Sequence, residues 1–139
     1  MSETIHYQTN LVTLKHLHDH NTLLVEWNGF QSHESLTKAM DSAFDLVCKH
    51  RITFWISDCR KLEVLTKENQ QWLNEQFMPK LLTSSPVKRV AAIVGDKVFT
   101  NMGIDNIKKV TDKVDLPFQY FADVEGAFVW FEEMRTVAV

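Results

Sequence analysis

The chain has few of the residues that interrupt or cross-link a fold: its 139 residues include four glycines, three prolines and two cysteines. Four scattered glycines leave no phosphate-binding glycine-rich loop and no dinucleotide-binding fingerprint. The nucleophile motif Gly-x-Ser-x-Gly is also absent. Two cysteines, Cys48 and Cys59, do not make a disulfide scaffold and are typical of a cytosolic protein with reduced thiols. We therefore expect no nucleotide cofactor of these common types.

An excess of basic charge and long apolar runs are missing as well. The formal net charge is -3 and the isoelectric point is about 6.0, whereas binding to nucleic acid needs a surplus of cations that neutralise phosphates. No apolar run approaches the length of a membrane span. The first residues, Met-Ser-Glu-Thr-Ile-His, lack the basic and apolar regions of a signal peptide. We expect a cytoplasmic protein with no nucleic-acid partner and no membrane span.

Apolar residues are plentiful, at 45% of the chain, and 11% of the residues are aromatic. A globular chain of this length buries roughly two thirds of the surface that its unfolded form exposes. No low-complexity segment or glycine- and proline-rich linker divides the sequence. We predict that residues 1–139 form a single domain.

The segment Arg51–Leu62 predicts the central strand of a sheet. Both alternating sets of residues in its first half are mostly apolar: Ile52, Phe54 and Ile56 in one set, and Thr53, Trp55 and Ser57 in the other. That pattern is typical of a strand covered on both faces. Its charged end, Asp58 to Lys61, is then expected at the edge where ligand sites of open α/β sheets lie.

The segments before this strand predict a hairpin and a helix. Leu11–Leu17 and Thr22–Trp27 are strand candidates on either side of the polar tip His18-Asp19-His20-Asn21. Ser32 or Ser35 can cap the helix that follows. Apolar residues recur along that helix at the spacing of a single stripe: Leu36, Ala39, Met40, Ala43, Phe44 and Val47.

The segments after the predicted central strand alternate between helix and strand. Thr66 can cap a helix that Pro79 bends or restarts. Val90–Val94 is a second buried strand, and Gly103–Val114 keeps helical spacing. Pro117–Phe121 is a short strand whose proline suits a strand start or an edge.

Asp123 can cap a last helix with a broad apolar arc, which favours burial between the sheet and a neighbouring helix or, alternatively, a subunit contact such as a homodimer. The predicted order is β-β-α-β-α-β-α-β-α. It indicates an α/β fold: a central mixed sheet with an N-terminal hairpin and parallel strands covered by helices.

The order of elements, with Asp58 late in the central strand, resembles STAS domains, the fold of bacterial anti-sigma-factor antagonists. In that family an Asp-Ser-Ser-Gly motif opens the next helix and one serine is a phosphorylation switch. The corresponding window here is Thr66-Lys67-Glu68-Asn69, in which Lys67 and Glu68 stand in place of the two serines. The phosphorylation switch therefore does not carry over. A bacterial STAS-like group is closer in pattern: its Trp-x-Ser-Asp-x-Arg strand matches Trp55–Arg60, followed by Trp72-Leu73 and Pro79.

This resemblance covers most of the chain and implies a STAS-like fold. STAS domains in general act by binding proteins, with nucleotide or lipid ligands proposed in some branches. The closer group implies a fold without an established activity.

The first site hypothesis is an anion or partner site formed by Asp58, Arg60, Lys61, Thr66 and Lys67. The amino terminus of a helix attracts anions, and nearby cations would strengthen the field. A phosphate, a carboxylate or an acidic side chain of a partner would fit such a site. The alternative interpretation is that Asp58 pairs with Arg60 and the lysines are solvated.

Two further patterns, a tract of histidines and a cysteine near a strand end, do not lead us to predict a functional site. His16, His18 and His20 have the spacing of imidazoles on one face of a strand, but the hairpin turn is expected to scatter them, so we predict no metal site. Cys59 lies near a strand end, but the arginine spacing of a phosphatase and a neighbouring histidine base are missing. Inert thiols are expected for Cys48 and Cys59.

The sequence favours a non-enzymatic STAS-like interaction or regulatory module that recognises a protein partner or a small anionic ligand. The alternative is a protein that binds a lipid-like molecule or a nucleotide, with Trp72, Phe77 and Trp130 around an apolar cleft. A partner-binding module predicts an exposed apolar patch, whereas a ligand-binding protein predicts an enclosed cavity.

Overall fold

The strand predicted to be central lies in the middle of the sheet. The computed structural model describes residues 2–95 and 116–137, with side chains in the last helix as far as Met134. Its strands are β1 Glu3–Gln8, β2 Val12–Leu17, β3 Thr22–Gly29, β4 Phe54–Leu62, β5 Arg89–Ile93 and β6 Phe118–Phe121. They lie side by side in chain order, antiparallel from β1 to β3 and parallel from β3 to β6.

The helices begin at the predicted caps. The helical elements of the described residues are α1 His33–His50, α2 Lys67–Trp72, a π-helical turn Leu73–Phe77, α3 Met78–Ser84 and α4 Val124–Val137. The Ser32 hydroxyl accepts a hydrogen bond from the Ser35 N–H at the start of α1. Thr66 and Asp123 cap α2 and α4 in the same way. Each cap satisfies an amide that has no partner inside its helix.

Side chains that alternate along β4 enter two different core layers. Trp55 and Cys59 point to the face of the sheet covered by α1, α2, the π-helical turn and α3, which we call the three-helix face. Phe54 and Ile56 point to the opposite face, which we call the α4 face. The predicted stripe of α1 packs on the three-helix face, where all of its residues except the half-buried Phe44 are buried.

In the described part of the chain, α4 covers the α4 face over β4 to β6. Ala127, Trp130 and Phe131 of α4 are buried against Phe54 and Ile56, so packing against the sheet accounts for much of the helix's apolar arc. Leu24 of β3 also belongs to this layer, whereas Thr13 and Lys15 of β2 and Glu26 of β3 on the same face are half-buried and polar. Within the described residues, several helices therefore cover one face, and one helix covers part of the other.

The mixed α/β sheet confirms the predicted fold class, with three differences. The edge strand β1 was not predicted, because its residues are almost all exposed and show no apolar alternation. The break in the helix after Thr66 comes from the π-helical turn, while Pro79 lies in the first turn of α3, where it needs no hydrogen bond. The charged end of β4 is still strand. The helix predicted over Gly103–Val114 lies outside the described residues.

Candidate functional site

An apolar cavity of about 50 Å³ lies on the three-helix face, between the sheet and the helices that cover it. Its floor includes Trp55, Ser57 and Cys59 of β4, and its roof includes Leu73 and Phe77 at the two ends of the π-helical turn. Other apolar side chains from α1, α3, β3, β5 and β6 complete the wall. Small-molecule pockets are also lined mainly by apolar side chains, but at about 300–1,000 Å³ they are several times larger.

The polar atoms in the cavity wall already have partners. The Trp55 indole N–H donates a hydrogen bond to the Ser57 hydroxyl at 3.0 Å, and the Cys59 thiol lies 3.6 Å from the Ser57 carbonyl oxygen. Burial raises the pKa of the Cys59 thiol to about 12, with a smaller contribution from the Asp58 carboxylate. Cys59 is therefore a protonated apolar wall residue and a poor nucleophile.

The π-helical turn shapes the roof of the cavity. The rings of Trp72 and Phe77 stack with their centres 5.6 Å apart, and Phe77 also meets Trp55 edge to face at 5.6 Å. Single π-helical turns are rare and often occur at functional sites. The turn was not predictable from Pro79, because the proline lies after it in the chain.

Of the three residues predicted to surround an apolar cleft, Trp72, Phe77 and Trp130, only Phe77 lines the cavity. Trp72 and Phe77 pack on the three-helix face, whereas Trp130 lies on the α4 face, where the Arg89 guanidinium sits 4.7 Å from its ring. The sheet separates them. An apolar arc on the last helix could not reveal on which side of the sheet that helix lies.

A buried polar network joins the start of α2 to the loop before α1. The Asn69 side chain is fully buried; its amide N–H donates to the Gln31 carbonyl oxygen at 3.0 Å, and its amide oxygen lies 2.9 Å from His33 Nδ1. Gln31 in turn donates to the carbonyl oxygens of Leu11 and Asn28. Sequence patterns did not identify this network, because its partners lie 36 or more residues apart or are main-chain atoms.

The five residues of the predicted anion site are divided between two places. Asp58, Arg60 and Lys61 line an open polar groove of about 490 Å³ together with residues of β2 and β3 and the loop before β2, but Thr66 and Lys67 are not among its lining residues. Thr66 caps α2, whose Trp72 packs on the three-helix face together with Leu65 and Leu73 on either side of the helix. Its hydroxyl already accepts the Asn69 N–H.

Arg60 forms a two-pronged ion pair with Asp58, with nitrogen to oxygen distances of 2.9 and 2.7 Å. Burial opposes ionisation of Asp58, but the hydrogen bonds from Arg60 outweigh it, so the pKa of this carboxyl is lowered. The carboxylates of Asp123, the cap of α4, and of Glu125 in its first turn also stabilise the charge of Arg60. The geometry therefore matches the alternative interpretation, in which Asp58 and Arg60 neutralise each other, and it gives the joint anion pocket no support.

The three histidines of the hairpin separate at the turn. His16 and His18 remain neighbours, with ring centres 4.0 Å apart, whereas the His20 ring stacks on Phe128 of α4 at 3.7 Å. Burial and nearby imidazoles lower the pKa of His16 to about 4. Over residues 2–95 and 116–134, no three histidine, cysteine or acidic side chains already converge as a metal site.

Comparison with known proteins identifies the fold. No family model matches the chain, and a search of curated proteins finds no match. The chain is similar to the crystal structure of an uncharacterized protein of the DUF3478 family with a SpoIIAA-like fold from Shewanella loihica PV-4. The TM-score is 0.55 at 16% identity, over 94% of this chain and 92% of that chain. This likeness confirms the STAS-like fold that the sequence resembles.

No helix in the described ranges combines the length and the apolar character that a transmembrane helix needs.

Proposed function

We propose that this STAS-like domain is a non-enzymatic, cytoplasmic module that binds a small apolar ligand in the cavity between the sheet and the π-helical turn. The observation that carries the proposal is the almost wholly apolar lining of this cavity, built from a sheet, two helices and the turn. Of the two ligand or partner classes that the sequence left open, an apolar lining supports the lipid-like ligand.

The cavity volume limits what the closed form can hold. A cavity accommodates one water at about 10–15 Å³, and an engineered apolar cavity of about 150 Å³ holds benzene. At about 50 Å³, the closed form fits only a fragment of a ligand, such as the end of an alkyl chain. A larger ligand requires α2, the π-helical turn and α3 to move away from the sheet.

Two exposed apolar side chains lie on loops next to residues that line the cavity, where such a ligand would contact them. Phe30 and Val64 are 52% and 56% exposed, although both are large and apolar. They lie on the two loops that follow β3 and β4, which are joined by a hydrogen bond from the Glu63 N–H to the Gly29 carbonyl oxygen at 3.1 Å. Leu65, directly after Val64, lines the cavity. An alkyl chain that enters between these loops would stay in contact with apolar surface.

A pair of adjacent alanines in β5 offers a direct test. Ala92 lines the cavity, while Ala91 is buried on the α4 face. Native mass spectrometry of freshly purified protein should detect a co-purifying small molecule, and octanoate should change the tryptophan fluorescence of the wild type. Ala92→Val, which narrows the cavity, should weaken octanoate binding at least about tenfold, while the matched control Ala91→Val should bind as the wild type does.

Equal binding by the two variants, or no binding of octanoate and no co-purifying molecule in the wild type, would remove the cavity from consideration. Melting temperatures of both variants would separate a loss of binding from a loss of folding.

The polar groove favours a second function, recognition of a protein partner or a second copy of this chain. Its charged lining of Glu26, Asp58, Arg60 and Lys61 is open to solvent along one side of the sheet. The double variant Arg60→Glu, Lys61→Glu should abolish association through this groove and leave octanoate binding unchanged. Native mass spectra of the wild type and the double variant that show the same protein partners and the same oligomeric state would contradict the groove function.

A further inference from the structure

Four of the six histidines in the sequence meet at the end of the sheet nearest the carboxyl terminus of α1. His6 is on β1, His16 on β2, His18 in the turn after β2 and His50 at the end of α1. The ring centre of His16 lies 4.0 Å from His18, 5.4 Å from His50 and 6.3 Å from His6, and His6 lies 5.2 Å from His50. We call these four residues the histidine cluster.

His16 is the buried centre of the cluster and has no visible reason to be polar. It is 5% exposed, and within the described residues neither of its ring nitrogens has a hydrogen-bond partner. Buried polar atoms almost always have one, so each exception needs an explanation. A leucine would fill this position between strand and helix without leaving polar atoms unpaired. The orphaned imidazole is an observation independent of the ring spacing.

We propose that the histidine cluster binds one divalent transition metal ion of the zinc or nickel class, with His16, His6 and His50 as ligands and His18 as the fourth. Imidazole nitrogen is a preferred ligand of these ions. Metal binding would give the buried His16 nitrogen the partner that it lacks. It would also fasten the exposed edge strand β1 to the carboxyl end of α1.

The spacing of the rings is close to what one metal ion requires. With Zn–N bonds of about 2.0–2.1 Å, two imidazole centres on a tetrahedral ion lie roughly 5 Å apart. The three distances among His6, His16 and His50 are 5.2, 5.4 and 6.3 Å. The donor atoms do not yet converge on one point, so binding needs rotation of the His6 and His50 rings, which are exposed and free of core packing.

His18 is oriented by a neighbour on β1. Its Nε2 lies 2.9 Å from the Thr4 hydroxyl, which leaves Nδ1 as the nitrogen available to the ion. Metal-binding histidines commonly use their second nitrogen in such a hydrogen bond, because it fixes the ring orientation. The surrounding charge comes from Lys49, which acts on His6, and from Asp45, which shares a surface depression with His6 and Lys49.

The test uses full-length protein without a histidine tag, titrated with Zn²⁺ by calorimetry and with Co²⁺ by visible absorption. We expect one equivalent of Zn²⁺, and a Co²⁺ spectrum of tetrahedral intensity. His6→Gln and His50→Gln, both at exposed positions, should each weaken Zn²⁺ binding at least about tenfold. His16→Ala should abolish it. His20→Ala is the matched control, because His20 belongs to the same tract but stacks on Phe128, and its affinity should match that of the wild type.

The proposal is overturned if the wild type binds no Zn²⁺, or if it binds Zn²⁺ with an affinity that His6→Gln and His50→Gln leave unchanged. The two exposed-site variants keep the test decisive if His16→Ala does not fold.

Discussion

The two faces of the sheet differ in how the chain covers them. The three-helix face is closed by α1, α2, the π-helical turn and α3 and encloses an apolar cavity. The α4 face carries a single described helix over β4 to β6 and a polar groove over β2 to β4. Neighbouring residues of β4 therefore serve different surfaces: Cys59 lines the cavity, whereas Asp58 and Arg60 line the groove. Closeness in sequence along a strand does not mean closeness in a site.

The largest expected difference between the faces is in stability. Trp55 is almost fully buried in the wall of the cavity and contacts Phe77. Trp55→Ala should lower the free energy of unfolding by about 3–5 kcal/mol, because a large ring is lost and the existing cavity expands. Lys61→Ala, in the groove, should change it by less than about 0.5 kcal/mol. Urea unfolding followed by circular dichroism measures both; similar losses would mean that the groove is part of the structural core.

The buried network at the start of α2 should give the next largest effect. Asn69→Ala leaves His33 Nδ1 and the Gln31 carbonyl oxygen without their partner, and an unpaired buried polar group costs about 1–3 kcal/mol. We expect a loss of that size in the free energy of unfolding and faster amide exchange in α2. Gln71→Ala, on the exposed side of the same helix, is the control. A loss as large for Gln71→Ala would show that the effect does not come from the network.

The sequence was sufficient for the parts of the fold that depend on local periodicity. Two apolar sets mark β4, one apolar stripe marks α1, and Ser32, Thr66 and Asp123 cap the helices as predicted. These signals repeat within a few residues and reflect burial directly. The edge strand β1 has no such signal, because it pairs through main-chain atoms while its side chains stay exposed.

The predicted anion site and the histidine cluster both depend on long-range geometry that no local sequence pattern contains. Asp58 and Thr66 are eight residues apart in sequence but belong to opposite faces, since alternation along β4 sends Asp58 away from α2. His50 joins His6 and His16 only because α1 returns to the end of the sheet where β1 and β2 meet. The tract of three histidines was visible in the sequence, but its partners outside the hairpin were not.

The ion pair between Asp58 and Arg60 should contribute less to the free energy of unfolding than Trp55 or Asn69 does, and its contribution should depend on pH. The pKa of Asp58 is lowered from its ordinary value of 3.8, so its contribution to stability is fully present above that value and is lost as the pH falls through the folded-state pKa. Asp58→Asn should destabilise the protein at pH 7 by no more than about 1 kcal/mol. The difference from the wild type should shrink below about pH 4. A difference that grows on acidification would contradict this assignment.

The smallest effect concerns the reactivity of the two thiols and leaves stability unchanged. Cys48 is exposed, whereas Cys59 is buried in the cavity wall with its pKa raised to about 12. Because only the thiolate is alkylated, iodoacetamide at neutral pH should label Cys48 and spare Cys59 in the native protein. If α2, the π-helical turn and α3 move outward to admit a ligand, Cys59 should become labelled slowly, and octanoate should change that rate while the rate at Cys48 stays constant. Peptide mass spectrometry of the alkylated protein measures both rates in one sample, and rapid labelling of Cys59 without any ligand would show that the three-helix face is not closed.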